Sequence, residues 1–464
     1  MTEELPKGWV TSRLADLGQW YGGATPSKAK PEFWEDGTIP WVSPKDMGQE
    51  VLNKVQDTIT EKAFEDSPVR LVPKNSVVFV VRSGVLERRF PVALTLGKVT
   101  LNQDMKAIHP NEAVNARWLA WGLRWMEGSI LRDCRKAGTT VASIQTARLM
   151  NFQLPVPPIS EQCRILDSLE ARLSRLDSAV GGMEKTLLGI DSLRLSFIKR
   201  AYKGKIQKIG DLFSVAVGAT PSRSDSSNWR GEVPWVSSGE VAFNRIKSTK
   251  ESISKSAVGN YEKRVHPPGT VLIAMIGEGK TRGQVAVLDI AAAHNQNCAS
   301  IRVSETKHDP NYVYFFLKGR YEETRRSGAG GNQLALNKSK VQEIGIPMVS
   351  PEGQRKVVDK IKAVEALAGR MQDQVETALR RADHLRQALL TAAFTGKLVP
   401  QDPSDEPAAA LLERVLSERA SAPKPKRARR SNTKPSTRSA SAADVRVPED
   451  LQPVHAGEQT ALEF

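Results

Sequence analysis

Gly23-Ala24-Thr25-Pro26-Ser27, followed by Ile39-Pro40-Trp41-Val42-Ser43, is written a second time as Gly218-Ala219-Thr220-Pro221-Ser222 followed by Val233-Pro234-Trp235-Val236-Ser237. The echo continues outward. Asn102-Gln103 returns as Asn295-Gln296, Pro155 as Pro347, and Ala201-Tyr202-Lys203-Gly204-Lys205-Ile206 as Ala393-Phe394-Thr395-Gly396-Lys397-Leu398. The displacement between copies stays nearly constant, so the chain is a tandem duplication with small loop insertions. Solenoid repeats run to tens of residues; this unit is a whole domain plus a whole connector. Two similar but non-identical modules in one chain suit two similar but non-identical ligands.

The chain has 464 residues, enough for several cores, and a formal net charge of +15 with a pI near 9.6. That balance favours a polyanionic partner, nucleic acid before membrane. Part of the excess is local: Lys424, Lys426, Arg427, Arg429, Arg430, Lys434 and Arg438 fall within 422–440 without an acid. Three scattered cysteines, Cys134, Cys163 and Cys298, make neither a disulfide framework nor a zinc site. The opening Met1-Thr2-Glu3-Glu4-Leu5-Pro6 is not a signal peptide, and no apolar run reaches membrane-spanning length. A cytoplasmic protein with no membrane partner is expected.

Within each copy the strand-like and helix-like stretches keep one order. Val77–Val81 and Pro91–Leu96 read as strands in the first, Val271–Ile276 and Gln284–Leu288 in the second. Asn115–Met126 and Tyr312–Leu317 fill the helical slot. Each module is therefore mixed α/β (α+β). After each module the period changes. Ile165, Leu169, Leu173, Leu176, Val180, Met183, Leu187 and Ile190 step by three and four, as do Ile361, Val364, Ala368, Met371, Val375, Ala378, Ala382, Leu385 and Leu389. These heptads predict two helices of roughly 40 residues, roughly 60 Å each. Two such helices in one chain predict an antiparallel coiled coil with a module at either end, and Gly181-Gly182 predicts a kink in the first. The expected division is a first recognition module over 1–155, a spacer helix over 156–205, a second module over 206–347, a second spacer helix over 348–399, and a short helix with a basic, disordered tail over 400–464.

Catalytic patterns are missing. Ala274-Met275-Ile276-Gly277-Glu278-Gly279-Lys280-Thr281 imitates a phosphate-binding loop, but Ala274 replaces the first glycine and a strand follows where a helix is required. Asp289 with Glu305-Thr306-Lys307 has no counterpart in the first module, which argues against a nuclease metal site. Neither a hydrolase triad nor an adenine-methylation motif is present. No catalytic residue, resident cofactor or metal is expected.

The Gly-Ala-Thr-Pro-Ser segments, the aromatic positions Phe33-Trp34 and Asn228-Trp229, and the Pro-Trp-Val-Ser segments resemble the start of a target recognition domain. Leu154–Gln162 resembles the joint into its long helix, and Phe197–Ile206 and Leu389–Leu398 the ends of the spacer helices. Gly396–Pro400, Asp405-Glu406-Pro407 and Leu411-Leu412 complete the likeness to the DNA specificity (S) subunits of Type I restriction–modification systems. The second joint, Ile346–Gln354, departs by placing Gly353 between Glu352 and Gln354. The resemblance implies a non-catalytic subunit whose modules each read half of a bipartite, asymmetric target in double-stranded DNA, with the coiled coil as a ruler. It further implies two methyltransferase (modification) subunits carrying S-adenosylmethionine, and restriction (motor-nuclease) subunits using ATP and Mg. The rival reading from the residues is a coiled-coil adaptor with two protein- or RNA-binding modules.

Duplication also sorts candidate DNA contacts. Residues kept in both modules cannot distinguish two half-sites, so they grip phosphates or build structure: Thr25, Ser27, Asn102 and Gln103 against Thr220, Ser222, Asn295 and Gln296, with Arg223 beside them. Base readers are sought where equivalent polar loops diverge. Arg82, Ser83, Arg88 and Arg89 oppose Lys280, Thr281 and Arg282; Lys45 and Asp46 oppose Ser238 and Glu240, and the Asp46 or Glu240 carboxylate could accept from cytosine.

Overall fold

The computed structural model describes residues 5–136, 140–259, 261–277, 279–326 and 335–421. The body runs to Val415; from Leu416 the chain is a separate unit, described only as far as Ser421. The basic cluster 424–430 lies outside the described residues.

The first module contributes β1 (Val10–Arg13), β2 (Gly18–Gly22), β3 (Ile39–Val42), β4 (Val51–Leu52) and β5 (Asp57–Ile59). It continues with β6 (Val77–Val80), β7 (Val92–Thr95), β8 (Thr100–Leu101), β9 (Met105–Pro110) and β10 (Gln153–Val156). Four helices, α1 (Glu61–Asp66), α2 (Ala116–Trp125), α3 (Glu127–Cys134) and α4 (Thr146–Met150), fall between them. The unbroken apolar run Val77-Val78-Phe79-Val80 is buried at every residue, as expected of a strand covered on both faces. It occupies the middle of a five-stranded sheet of order β2-β9-β6-β7-β4; a three-stranded sheet, β5-β3-β8, and the pair β1-β10 complete the module.

A long helix, α5 (Ile159–Ala201), leads to the second module. There β11 (Lys205–Lys208), β12 (Val215–Val217), β13 (Trp229–Val236), β14 (Asn244–Ile246) and β15 (Glu251–Ile253) precede β16 (Val271–Ala274), β17 (Val285–Leu288), β18 (Ala293–His294), β19 (Cys298–Ile301) and β20 (Gly345–Met348). The helices are α6 (Ile209–Leu212), α7 (Lys255–Val258), α8 (Tyr261–Arg264), α9 (Pro310–Gly319), α10 (Tyr321–Arg326) and α11 (Lys338–Glu343). The sheet orders β12-β19-β16-β17-β14 and β15-β13-β18, with the pair β11-β20, repeat the first module strand for strand. The second long helix, α12 (Pro351–Phe394), follows, and α13 (Ala408–Ser421) comes last.

The long helices run antiparallel. Arg386 pairs with Asp177, Gln372 Nε2 donates to Asp191 Oδ1 at 3.0 Å, and Arg194 Nε lies 3.7 Å from Glu365 Oε1, so rising numbers on one helix meet falling numbers on the other. Helix α5 continues through Gly181-Gly182 without a break: helical hydrogen bonds on both sides outweigh a glycine penalty of about 1 kcal/mol each. Coverage of the seam is uneven. Ile165, Leu169 and Leu173 are buried, whereas Met371 is 41% and Leu385 50% exposed. Near the modules a helix meets both its partner and a module; between them it has only its partner, and one helix covers a narrow stripe.

Each module core receives the start of its own spacer helix and the end of the other. The first core contains Leu169 and Leu173 from α5 together with Leu390 and Phe394 from α12; the second contains Ile198 from α5 with Val358 and Ile361 from α12. Phe394 stacks on Trp125, with centroids 5.0 Å and planes 10° apart, and its counterpart Tyr202 packs on Tyr312 at 4.7 Å. Both joints are clamped by a buried glutamine. Gln162 accepts from Asn115 N at 2.8 Å and donates to Pro157 O, while Gln354 accepts from Asp309 N at 3.0 Å and donates to Val349 O. Gly353 changes the sequence of the second joint without removing its clamp.

Candidate nucleic-acid interface

One loop architecture is built twice from the residues that the duplication preserves. A Cβ on Gly23 would lie 1.7 Å from Asn102 O, and one on Gly218 2.0 Å from His294 O, so only glycine lets the loop pass the turn before β9 or β19. Trp41, 5% exposed, and Trp235, 2% exposed, are core residues. Their indoles also anchor the loops by donating to Ala24 O at 3.0 Å and Ala219 O at 3.1 Å. A second tryptophan stands edge-on to each at 5.1 Å, Trp34 in the first module and Trp229 in the second.

The Thr25 hydroxyl donates to Gln103 Oε1, and Thr220 does the same to Gln296. With Oε1 engaged by threonine, each exposed glutamine keeps its NH2 as a donor, and that of Gln103 reaches Asp104 Oδ2 at 3.4 Å. Asn102 and Asn295 are buried, at 7% and 6% exposure; Asn102 Oδ1 receives Asp104 N and shapes the turn. Asn295 Oδ1, by contrast, is buried without a hydrogen-bond partner, while Gln103, Gln296, Ser27 and Ser222 remain on the surface. Arg223 is held by Glu251, at 2.9 Å through Nη2, and lies 3.7 Å over the Trp229 ring. That pairing raises the Arg223 pKa, chiefly through the hydrogen bond to Glu251.

In the loop containing Lys45 and Asp46 the carboxylate has a structural use. Asp46 Oδ2 accepts from Ser43 N at 2.8 Å and Ser43 Oγ at 3.0 Å, and Oδ1 from Gln56 N at 2.9 Å. Glu240 repeats the set with Ser237 N, Ser237 Oγ and Lys250 N. Both carboxylates close capping boxes and use three of their roughly four acceptor sites within the fold, leaving about one on Oδ1 of Asp46 and one on Oε1 of Glu240. They are equivalent rather than divergent. Lys45 is half exposed and pairs with Asp57 at 2.9 Å; Ser238 opens the short 3-10 turn Ser238–Glu240.

The loops after β6 and β16 do diverge. Arg82 is 61% exposed at the side chain, its Nε 3.5 Å from Asp104. Ser83 caps the 3-10 turn Gly84–Glu87, and Arg88 and Arg89 are exposed. In the second module Lys280 is exposed and Thr281 half-buried, but Arg282 is only 7% exposed and does not present its guanidinium to a ligand. Strand β17, not a helix, follows this loop, and the Tyr321 hydroxyl at the start of α10 donates to Lys280 O at 2.6 Å. Asp289 is paired with Arg245 and Glu305 with Arg302. Backbone hydrogen bonds fix the register: Val81 N donates to Asp104 O and Met275 N to Asn297 O, each at 2.8 Å. Arg82 thus stands opposite Ile276, not the glycine loop beyond it. Sequence reading missed Asp104, Ile276 and Asn297, although the step from Gln103-Asp104 to Gln296-Asn297 was visible beside the shared Asn-Gln.

The family model of the Type I restriction modification DNA specificity domain matches the chain twice, over residues 6–179 and 203–377. The Escherichia coli EcoR124I/EcoR124II specificity subunit is 43% identical over 179 residues, a stretch spanning 39% of this chain and 44% of that relative. The Salmonella potsdam StySPI specificity subunit is 19% identical over 460 residues, covering 90% of this chain and 96% of the relative. Among solved structures, a chain of a type I R-M system solved for its complex assembly and conformational transition superposes with a TM-score of 0.69 at 17% identity, covering 85% of this chain and all of that one. The HsdS subunit from Thermoanaerobacter tengcongensis gives 0.55 at 16% identity over 85% of this chain and 99% of its own. At these identities the structures support the fold.

Proposed function

The chain belongs to the family of Type I restriction–modification DNA specificity domains, and from that premise we propose that it is the non-catalytic specificity subunit of such a system. Each module reads one half of a bipartite, asymmetric double-stranded target, and the paired helices α5 and α12 set the length of unread duplex between the halves. One observation carries this reading: a single loop frame is built twice, with divergent polar residues set into it, on two modules of one topology joined by an antiparallel helix pair. The net charge of +15 suits a phosphate backbone.

Two methyltransferase subunits dock on the helix pair and bring S-adenosylmethionine to adenine; motor-nuclease subunits bring ATP and Mg. Support for docking comes from apolar side chains left outside the two-helix seam, among them Leu188 at 71%, Leu193 at 73% and Leu367 at 50% exposure. A groove of about 340 Å³ lined by Ile190, Leu193, Phe197, Val364, Leu367 and Met371 lies along them. Modified-base sequencing of host DNA, with and without this gene, tests the proposal. Loss of one bipartite methyl-adenine motif on deletion is the expected result; an unchanged methylome in cells whose partner methyltransferase is active would refute it.

A further inference from the structure

We infer that Arg82 with Asp104 in the first module, and Ile276 with Asn297 in the second, are the specificity-determining pairs, the first taking a G·C base pair and the second an A·T pair. The inference rests on the function proposed above and deepens it, by naming which residues discriminate and what they select.

The argument begins from backbone identity. Val81 N to Asp104 O and Met275 N to Asn297 O are the same hydrogen bond at the same 2.8 Å. The turns just before them are closed alike, Met105 N donating to Asn102 O at 3.1 Å and Cys298 N to Asn295 O at 3.3 Å. With Gly23 and Gly218 each pressed against the backbone of the equivalent turn, at Asn102 O and at His294 O and Asn295 O, the two frames carry these side chains at equivalent places. Whatever differs in recognition there is side-chain chemistry.

The chemistry differs in a matched way. Arg82 presents a guanidinium, and Asp104 holds it from 3.5 Å, which fits bidentate donation to guanine O6 and N7. Ile276 is an apolar side chain left 42% exposed, suited to a thymine methyl, and the Asn297 amide both donates and accepts, as adenine N6 and N7 require. Beside each pair stands the same exposed amide, Gln103 or Gln296, with Oε1 tied to a threonine. That shared donor grips backbone without sequence preference, so selectivity falls to its neighbours. Asp104 acts as a positioning residue: Gln103 Nε2 also reaches it at 3.4 Å, so it links the grip to the reader.

The test exchanges the pairs. Full-length chain carrying R82I/D104N, and separately I276R/N297D, is used to select from duplexes randomised at both half-sites; the single isosteric variant D104N is run beside them. R82I/D104N is expected to convert one G·C preference in one half to A·T, with discrimination changing roughly 10-fold or more, while the other half stays as in wild type and reports an intact fold. I276R/N297D is expected to do the reverse in the other half. D104N alone should weaken the guanine preference at that position, as a positioning role requires. Unaltered preferences in both exchanged chains would overturn the inference, as would loss of both halves in a variant that melts like wild type. A wild-type chain selecting no bipartite sequence would overturn the functional reading itself, and this inference with it.

Discussion

His266 and His294 stand where the first module has Val72 and Leu101, as the matching strand registers show. Both rings are buried, at 1% and 2% exposure, with centroids 4.8 Å apart. Arg302 Nε donates to His266 Nδ1 at 3.0 Å, which requires that nitrogen to be unprotonated. Burial, the neighbouring His294 and Arg302 push His266 down to about 3; burial and Arg302, opposed by the hydrogen bond to Asn295 O, hold His294 near about 4. An unfolded histidine titrates near about 6.5, so below that pH the unfolded chain binds protons that the folded one refuses. Stability present at pH 7 therefore falls as pH drops through 6.5 towards 4. At pH 5 the loss is about 2 kcal/mol per histidine. Chemical denaturation of wild type and H266V/H294L at pH 7 and pH 5 checks this: the wild-type midpoint should fall and the variant's should fall much less, whereas equal slopes would contradict the assignment. At this scale the sequence was partly legible. Trp41 and Trp235 were readable as shared core. Ser43-x-x-Asp46 and Ser237-x-x-Glu240 carry the spacing of a capping box, yet only the geometry revealed that each carboxylate also ties down a second backbone N–H, that of Gln56 or Lys250. Burial of Arg282 in a loop could not be read from the sequence, since α10, remote along the chain, packs against its neighbours Gly283 and Lys280.

Elements were more legible than residues. Contiguous apolar runs marked β6 and β16, and heptads marked α5 and α12, because burial on both faces and a periodic seam write themselves directly into composition. What the heptads could not disclose was that two helices cover only part of their stripe, or that the far end of each helix completes the other module's core. That closure depends on Phe394 meeting Trp118 and Trp125 from the opposite end of the chain. The ruler role of the helix pair leads to a prediction at this scale. Removing one heptad at matching heights, residues 177–183 from α5 and 378–384 from α12, shortens the pair by about 10 Å, or about three base pairs by length. Binding to duplexes with both half-sites intact and the gap varied should then be best at a shorter gap. An unchanged optimum would mean that the helices do not measure the target.

For the whole molecule, the repeated module and the antiparallel pair impose an approximate two-fold relation: each module has the same topology, the same joint and the same borrowed helix end. On the function proposed above, an asymmetric target would follow from what differs between the two modules. The duplication made this plan legible from sequence, since a long echo with a heptad connector admits few arrangements. The most direct measurement is modified-base sequencing of cells carrying, with the partner methyltransferase, a chain whose second module is replaced by a copy of the first. Independent reading by the two modules gives a methylated motif whose two halves are the same sequence in inverted orientation. A motif that keeps its original second half, or one in which both halves have become new, would contradict it.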